Sequence, residues 1–177
     1  LSDIMVGGQP AIVVATGSFN QPNPVHVRGV EFSAQQTFDF LPGILRNLGG
    51  VFNYSYTQVV GRNPDGSKAV LPGVSANAYN LIGFYETPRF GVRVVYNYRD
   101  AYVLTGGTTF SGGASRVKPR GQLDASLSIA VARRLSVSLD GYNLTNARRS
   151  QYQTFEAMPR ANDYDGRTFT LVVRSAF

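Results

Sequence analysis

The chain contains no cysteine, no tryptophan and a single histidine among 177 residues. Without cysteine there are no disulfides, no thiolate metal sites and none of the soft-ligand chemistry that sulfur supports. The lone histidine, His26, has no acidic or nucleophilic partner recognisable by spacing, and it reads as an exposed residue at a strand start. Charge is scarce: charged residues make up 16%, against the roughly 25% usual for soluble domains. No apolar run approaches the roughly 18 to 20 residues that a membrane-spanning helix needs. The Gly-, Ser- and Thr-rich stretch 105–115 lacks the lysine of a phosphate-binding loop. Residues 162–166 (Asn-Asp-Tyr-Asp-Gly) lack the distant glutamate of a calcium loop and read as a turn. No cofactor and no metal site are expected, and no arrangement of polar residues marks an enzyme.

What remains is suited to strands and turns. The length is that of one domain. Aromatic residues make up 12%, supplied by 10 Tyr and 11 Phe, and Gly is abundant at 19; this composition favours a β-rich chain with many tight turns. The net charge of +6 raises the question of nucleic acid. The basic residues are scattered, with only Arg133-Arg134 and Arg148-Arg149 adjacent, so no nucleic-acid surface is expected. Isolated arginines on alternating strands read as solvated or lumen-facing positions. The chain begins Leu1-Ser2-Asp3, neither an initiator methionine nor a signal peptide, and is expected to be a piece of a longer chain.

Apolar and polar residues alternate with period two, as in strands that bury one face. In residues 25–40, Val30, Phe32 and Ala34 oppose Glu31, Ser33 and Gln35. In 49–59, Phe52, Tyr54 and Tyr56 oppose Asn53, Ser55 and Thr57. The pattern softens over 76–87, then returns over 91–103, 121–131 and 135–144. The last stretch, 169–177, places Phe169, Leu171, Val173 and Phe177 at alternate positions and ends the chain on an aromatic residue. A weaker piece lies at 11–16. The spacing predicts about seven or eight strands, each about nine to fifteen residues long, against a mode of about 5 to 6 in soluble sheets.

Connections sort by length. Residues 88–90, 132–134 and 41–48 are short, whereas 61–75, 104–120 and 145–167 are long and polar, and the two kinds alternate. In an up-and-down barrel this puts all short turns on one rim, with the carboxy terminus, and all long loops on the other. Transmembrane barrels have that asymmetry. Tyr54, Tyr56, Tyr79, Tyr85, Tyr96, Tyr98 and Tyr102 fall toward strand ends, as in aromatic girdles. Strand length and loop parity favour an apolar face turned outward to lipid around a wet lumen. Two other readings remain: a self-contained eight-stranded outer-membrane barrel with an anchoring or adhesion role, which requires its first and last strands to pair, and a soluble lipocalin-like barrel with the apolar face inward.

Five segments then suggest a family. Val27-Arg28-Gly29-Val30-Glu31 resembles its strand-start pattern. Leu71-Pro72-Gly73-Val74-Ser75 followed by Tyr79-Asn80-Leu81 resembles its loop-to-strand transition. Gly121-Gln122-Leu123-Asp124-Ala125-Ser126 resembles the opening of its third strand from the end. Asn143-Leu144-Thr145-Asn146 resembles the end of its penultimate strand, and the aromatic terminal strand resembles its assembly signal. In this order, over residues 27–177, the chain resembles the carboxy-terminal β-barrel portion of TonB-dependent outer-membrane receptors.

The resemblance implies an all-β, antiparallel, up-and-down transmembrane barrel, of which residues 1–177 are the carboxy-terminal section and the plug domain is absent. The whole barrel would have about 22 strands. It implies location in the bacterial outer membrane and import of a scarce small-molecule nutrient, such as an iron-siderophore or an oligosaccharide. Energy would come from the TonB complex through the missing amino-terminal region. The further partners are outer-membrane lipid and the barrel-assembly machinery, which reads the terminal strand through Phe169, Leu171, Val173 and Phe177. Arg28, Glu31, Asp124 and Asp140 are expected to face the lumen and plug. Tyr102, Phe110, Arg116, Lys118, Arg148, Tyr152, Phe155, Arg160 and Tyr164 mix aromatic and cationic groups in the long loops, suiting anionic chelates by charge or sugars by stacking.

Overall fold

The structure is a computed structural model that describes residues 5–6, 9–10, 23–106 and 113–175. Two short strands, β1 (Met5–Val6) and β2 (Gln9–Pro10), pair with each other. The body is a seven-stranded antiparallel sheet of β3 (His26–Thr37), β4 (Leu48–Val60), β5 (Asn77–Glu86), β6 (Phe90–Arg99), β9 (Arg120–Ala132), β10 (Leu135–Tyr142) and β13 (Thr168–Ser175). Each strand pairs with the next along the chain. The expected strand at 11–16 lies outside the described residues.

The turns obey the predicted parity. A segment with a short 3-10 helix (Gly43–Asn47) joins β3 to β4, Thr87, Pro88 and Arg89 join β5 to β6, and Arg133 and Arg134 join β9 to β10. All three lie on one rim, where β13 also ends. At the Pro88-Arg89 turn the Thr87 amide donates to the Phe90 carbonyl (2.8 Å), and the Phe90 amide donates to Thr87 Oγ1 (2.9 Å). The segments 61–76, 100–119 and 143–167 all emerge on the opposite rim.

The two long segments nearest the carboxy terminus are not plain loops. They build a second, four-stranded antiparallel sheet from β7 (Tyr102–Thr105), β8 (Ser115–Val117), β11 (Arg149–Gln153) and β12 (Pro159–Asp163), in the order β12-β11-β8-β7. The expected single strand over 91–103 is therefore two strands in two sheets. The break falls at Asp100, whose amide donates to the Asn77 carbonyl (2.9 Å) and whose carboxylate accepts from Asn77 Nδ2 (2.6 Å) and the Tyr98 hydroxyl (2.9 Å).

Register assigns every side chain of the main sheet to a face. One row runs Ala34, Phe52, Leu81, Tyr96, Leu123; another runs Val92, Leu127, Leu139, Leu171. The opposite face carries Ser33, Asn53, Asn80, Asn97, Gln122 in one row and Arg93, Ser126, Asp140, Thr170 in another. The softer β5 pattern resolves with Leu81 and Tyr85 on the apolar face and Ile82 and Phe84 on the polar one. Two clefts of the main sheet lie against the polar face. One of about 490 Å³ is lined by Glu31, Ser33, Asn53, Asn80 and Asn97. Another of about 540 Å³ is lined by Glu86, Arg93, Ser126, Ser128 and Ser136. The sheet thus curves around its polar side and turns its apolar side outward.

The outward face is bare. Phe32, Leu81, Leu139, Phe169, Leu171 and Val173 are all exposed, Leu171 at 67%. In water such a surface is unstable, since monomeric soluble proteins rarely expose apolar patches above a few hundred Å²; in a bilayer it is the solvated state. Aromatic rings bound it. Toward the long-loop rim, Tyr79 stacks on Tyr98 (4.8 Å between ring centroids) beside Tyr54 and Tyr56. Toward the short-turn rim, Tyr85 meets Phe90 edge-on (6.2 Å). From Phe90 to Tyr98 is about 26 Å along the strand at 3.3 Å per residue. A tilt of about 40° reduces this to about 20 Å, close to the roughly 25 Å apolar band of outer-membrane barrels.

Among the described residues β3 and β13 each pair on one side only, and not with each other. The closure expected of a self-contained eight-stranded barrel is not present in this seven-stranded sheet. Phe169, Leu171 and Val173 share the outward face of β13; Phe177 lies outside the described residues.

The outward assignment has a direct check. Leu127→Arg, near the middle of the band, is expected to cost about 2–4 kcal/mol of unfolding free energy in phospholipid vesicles. Ser138→Arg, on the polar face, is expected to change it by about 0.5 kcal/mol. Equal costs, or the reverse order, would refute the assignment.

Candidate functional site

The polar face is a wall of small neutral groups tied across strands. Ser33 Oγ donates to Asn53 Oδ1 (2.7 Å), and Asn80 Nδ2 donates to Asn97 Oδ1 (2.5 Å). Apart from Asp124, opposite Val95, charge enters toward the ends. At the short-turn rim Arg93 pairs with Glu86 (2.9 Å) and lies over the Phe84 ring. At the long-loop rim the last pair of β6 and β9 sets Arg99 opposite Arg120. Like charges directly opposite are destabilising, and here each is drawn to a different partner. Arg99 donates to Ser75 Oγ (2.7 Å) and to the Gly73 carbonyl, and lies 4.1 Å from the centroid of the Tyr102 ring. Arg120 donates to Gln122 Oε1 (2.9 Å) and pairs with Asp165 (3.0 Å). Gly73, at φ 78, holds a turn that residues with a Cβ adopt poorly, and so aims its carbonyl at Arg99.

Between these arginines and the second sheet lies a cleft of about 260 Å³, lined also by Tyr102, Lys118, Gln122 and Arg149. Lys118 pairs with Glu156 (2.9 Å) and sits 5.8 Å from the Tyr152 ring; Arg149 pairs with Asp163 (3.6 Å). These pairs are half-exposed and worth at most about 1 kcal/mol each, so a bound anion can displace the carboxylates. The Arg120 Nε is buried, with no acceptor among the described residues.

Of the loop residues singled out by type, the structure brings Tyr102 and Lys118 to this cleft. Tyr152 belongs through its contact with Lys118. Arg148 and Tyr164 form a separate pair, the guanidinium 4.5 Å from the ring centroid, with Tyr164 64% exposed. Arg116, Phe155 and Arg160 are exposed and away from the cleft lining. Phe110 lies outside the described residues. Arg99, Arg120 and Arg149 escaped the reading by residue type; the available signal was that Arg99 and Arg120 close their strands where the long segments begin.

The four expected lumen residues do not share one wall. Glu31, Asp124 and Asp140 are on the polar face, whereas Arg28 pairs with Gln58 on the outward face, in the file of Val30 and Phe32. Three positions along a strand is an odd step, so Arg28 and Glu31 must oppose. Asp124 has a structural task. Its Oδ1 accepts from the Asn143 amide (2.8 Å) and from Gln122 Nε2 (2.9 Å). Asn143 is fully buried at φ 55, a left-handed position that asparagine tolerates. Its Nδ2 donates to the carbonyls of Gly166 (2.8 Å) and Ala147 (3.2 Å), and its Oδ1 accepts from the Ala147 amide (2.7 Å). Two of the motif segments, 121–126 and 143–146, thus meet in space to anchor the 143–167 segment. Gly121 has its own reason: a Cβ there would collide with the Tyr96 hydroxyl.

Comparison with protein families gives one match, to the family described as TonB dependent receptor-like, beta-barrel, over residues 3–144. No curated protein and no solved structure matches the chain. The family match ends at the Asn143 hub, and β13 continues the same sheet through an eight-residue ladder with β10.

Asn143→Ala strands several buried partners and is expected to cost about 2–3 kcal/mol. Limited proteolysis should then cut within 143–167 while the main sheet stays protected. Wild-type resistance of that segment would show the hub to be dispensable.

Proposed function

The chain belongs to the TonB-dependent receptor-like β-barrel family of the bacterial outer membrane, and we propose that residues 1–177 are the carboxy-terminal section of a nutrient importer. The observation that carries this reading is the sorting of the sheet: an apolar outward belt, a polar inner wall, and a cation- and aromatic-lined cleft where that wall meets the long loops. An outward belt of this kind argues for membrane insertion over a soluble barrel of the lipocalin type. The function is transport, with no catalytic step.

Two edges exposed to hydrocarbon would leave unpaired backbone groups costing several kcal/mol each. The sides of β3 and β13 that are unpaired among the described residues therefore call for partner strands, which this reading assigns to the remainder of a barrel of about 22 strands. A plug and an amino-terminal segment that engages the TonB complex belong to the same parent protein. The polar wall suits a removable plug: its amides and hydroxyls give hydrogen bonds that water can replace, and the charged Glu31, Arg93 and Asp140 on the same face are exposed. The ligand is a small nutrient such as an iron-siderophore or an oligosaccharide. Arg99, Arg120, Arg149 and Lys118 would meet its anionic or hydroxyl groups, and Tyr102 would stack on its body.

A strain without the protein should lose growth on one class of iron chelate or oligosaccharide, and collapse of the proton-motive force should stop uptake while leaving surface binding. Uptake that persists without energy, or no phenotype across the panel, would refute the importer. Arg120→Gln combined with Arg149→Gln should weaken ligand binding about tenfold or more, as expected for losing a charged hydrogen bond, without changing membrane insertion.

A further inference from the structure

The outward face carries a second charged feature, above the belt and away from the mouth. Beyond the Val30–Tyr56 row, the same face presents Arg28 opposite Gln58, then His26 opposite Val60, then Arg62 bridged to Lys68. Arg28, His26, Arg62 and Lys68 are all exposed. None of them has an ion pair among the described residues. A cleft of about 420 Å³ lies between Gln58, Val60, Arg62 and Lys68.

Among the described residues no carboxylate forms an ion pair with this patch. Glu31 is on the opposite face. Asp65, in the turn between Arg62 and Lys68, accepts from Ser67 Oγ (2.6 Å) and from the Ser67 amide (2.9 Å). Farther along the rim, Asp100 is taken up by Tyr98 and Asn77. The charge near this corner of β3 and β4 is therefore net cationic, Arg28, Arg62 and Lys68 against the one carboxylate of Asp65, which the hydrogen bonds from Ser67 hold in its charged form.

Position identifies the partner. Tyrosine rows mark the level where hydrocarbon gives way to headgroups. Each two-residue step advances about 7 Å along the strand, so the cations run from about 7 Å to about 20 Å beyond Tyr56. We propose that this patch binds a phosphorylated lipid headgroup of the outer leaflet, one tall enough to carry more than one phosphate. A lipid fits better than a soluble anion because the patch continues into the belt, where exposed Val30 and Phe32 lie directly below to take acyl chains. The inference rests on the reading of the apolar face as lipid-facing with the long loops outermost.

The test uses the protein in its native sequence context, purified from outer membranes and placed in nanodiscs of zwitterionic lipid doped with a bis-phosphorylated glycolipid. Retained glycolipid is counted by native mass spectrometry. Each of Arg28→Gln, Arg62→Gln and Lys68→Gln should lower retention about fivefold, and the triple variant on the order of a hundredfold. Arg133→Gln with Arg134→Gln, on the opposite rim, should change nothing. Millimolar inorganic phosphate should not compete. Wild-type retention by a correctly inserted triple variant would overturn the lipid site and leave the importer intact. Loss of retention to inorganic phosphate would replace the lipid with a soluble anion and also overturn it. Failure of the wild type to insert into any membrane would overturn both readings together.

Discussion

Hydrocarbon offers a backbone no hydrogen-bond partner, and this sets the terms for the whole sheet. Each strand must spend its N–H and C=O groups on neighbours. The ladders meet the demand with long, nearly unbroken registers: twelve pairs between β3 and β4, and ten between β6 and β9. Once the backbone is committed sideways, side chains have only two directions left. Lipid takes one and water the other, so composition divides by parity. This accounts for the low charge of the chain. The water side needs polarity but is a narrow, shared interior, and Ser, Asn, Gln and Thr provide it without the desolvation penalty of fixed charges.

The same constraint explains why the long-loop rim needs a second sheet. A main-sheet strand ends where water begins, and beyond that level a segment of twenty or so residues must order itself by its own contacts. β7, β8, β11 and β12 do this around buried Val103, Val117 and Ser115. The Asp124–Asn143–Gly166 chain of hydrogen bonds ties that sheet to the barrel wall. Arg99 and Arg120 stand at the join. Both are held by contacts that reach into the loops, Tyr102 and Gly73 for one and Asp165 for the other. Loop order and the chemistry of the mouth therefore rest on the same side chains.

Period two is a local property, which is why so much was legible beforehand. Phe52 against Asn53, or Leu127 against Ser128, identifies a strand and its faces from adjacent residues alone. Turn parity followed equally well. The second sheet was not legible, because its strands are three to five residues long and rich in Arg, Ser and Gln. The central pairing, of β8 with β11, joins segments thirty or more residues apart. Arg28 was misplaced for a different reason. Its spacing from Glu31 is odd, which sends the two to opposite faces. Asn143 was visible as part of a motif but not as a hub, since the carbonyl of Gly166 that it holds is distant in sequence.

The boundary between membrane and mouth is itself built from a few side chains. The Tyr54 hydroxyl donates to Asn77 Oδ1 (2.7 Å) and the Tyr98 hydroxyl to Asp100 Oδ1 (2.9 Å), so both tyrosines point their polar ends toward the long-loop rim while their rings remain on the apolar face. Tyrosine suits this level because one end is apolar and the other takes a hydrogen bond. Asp100 gains both a tyrosine and an asparagine there, and the chain leaves the main sheet at that residue. Two residues later Tyr102 begins β7 and faces Arg99. The level at which lipid contact stops and the level at which the ligand cleft starts are thus fixed by one cluster. A shift in the depth of the belt would move the mouth with it.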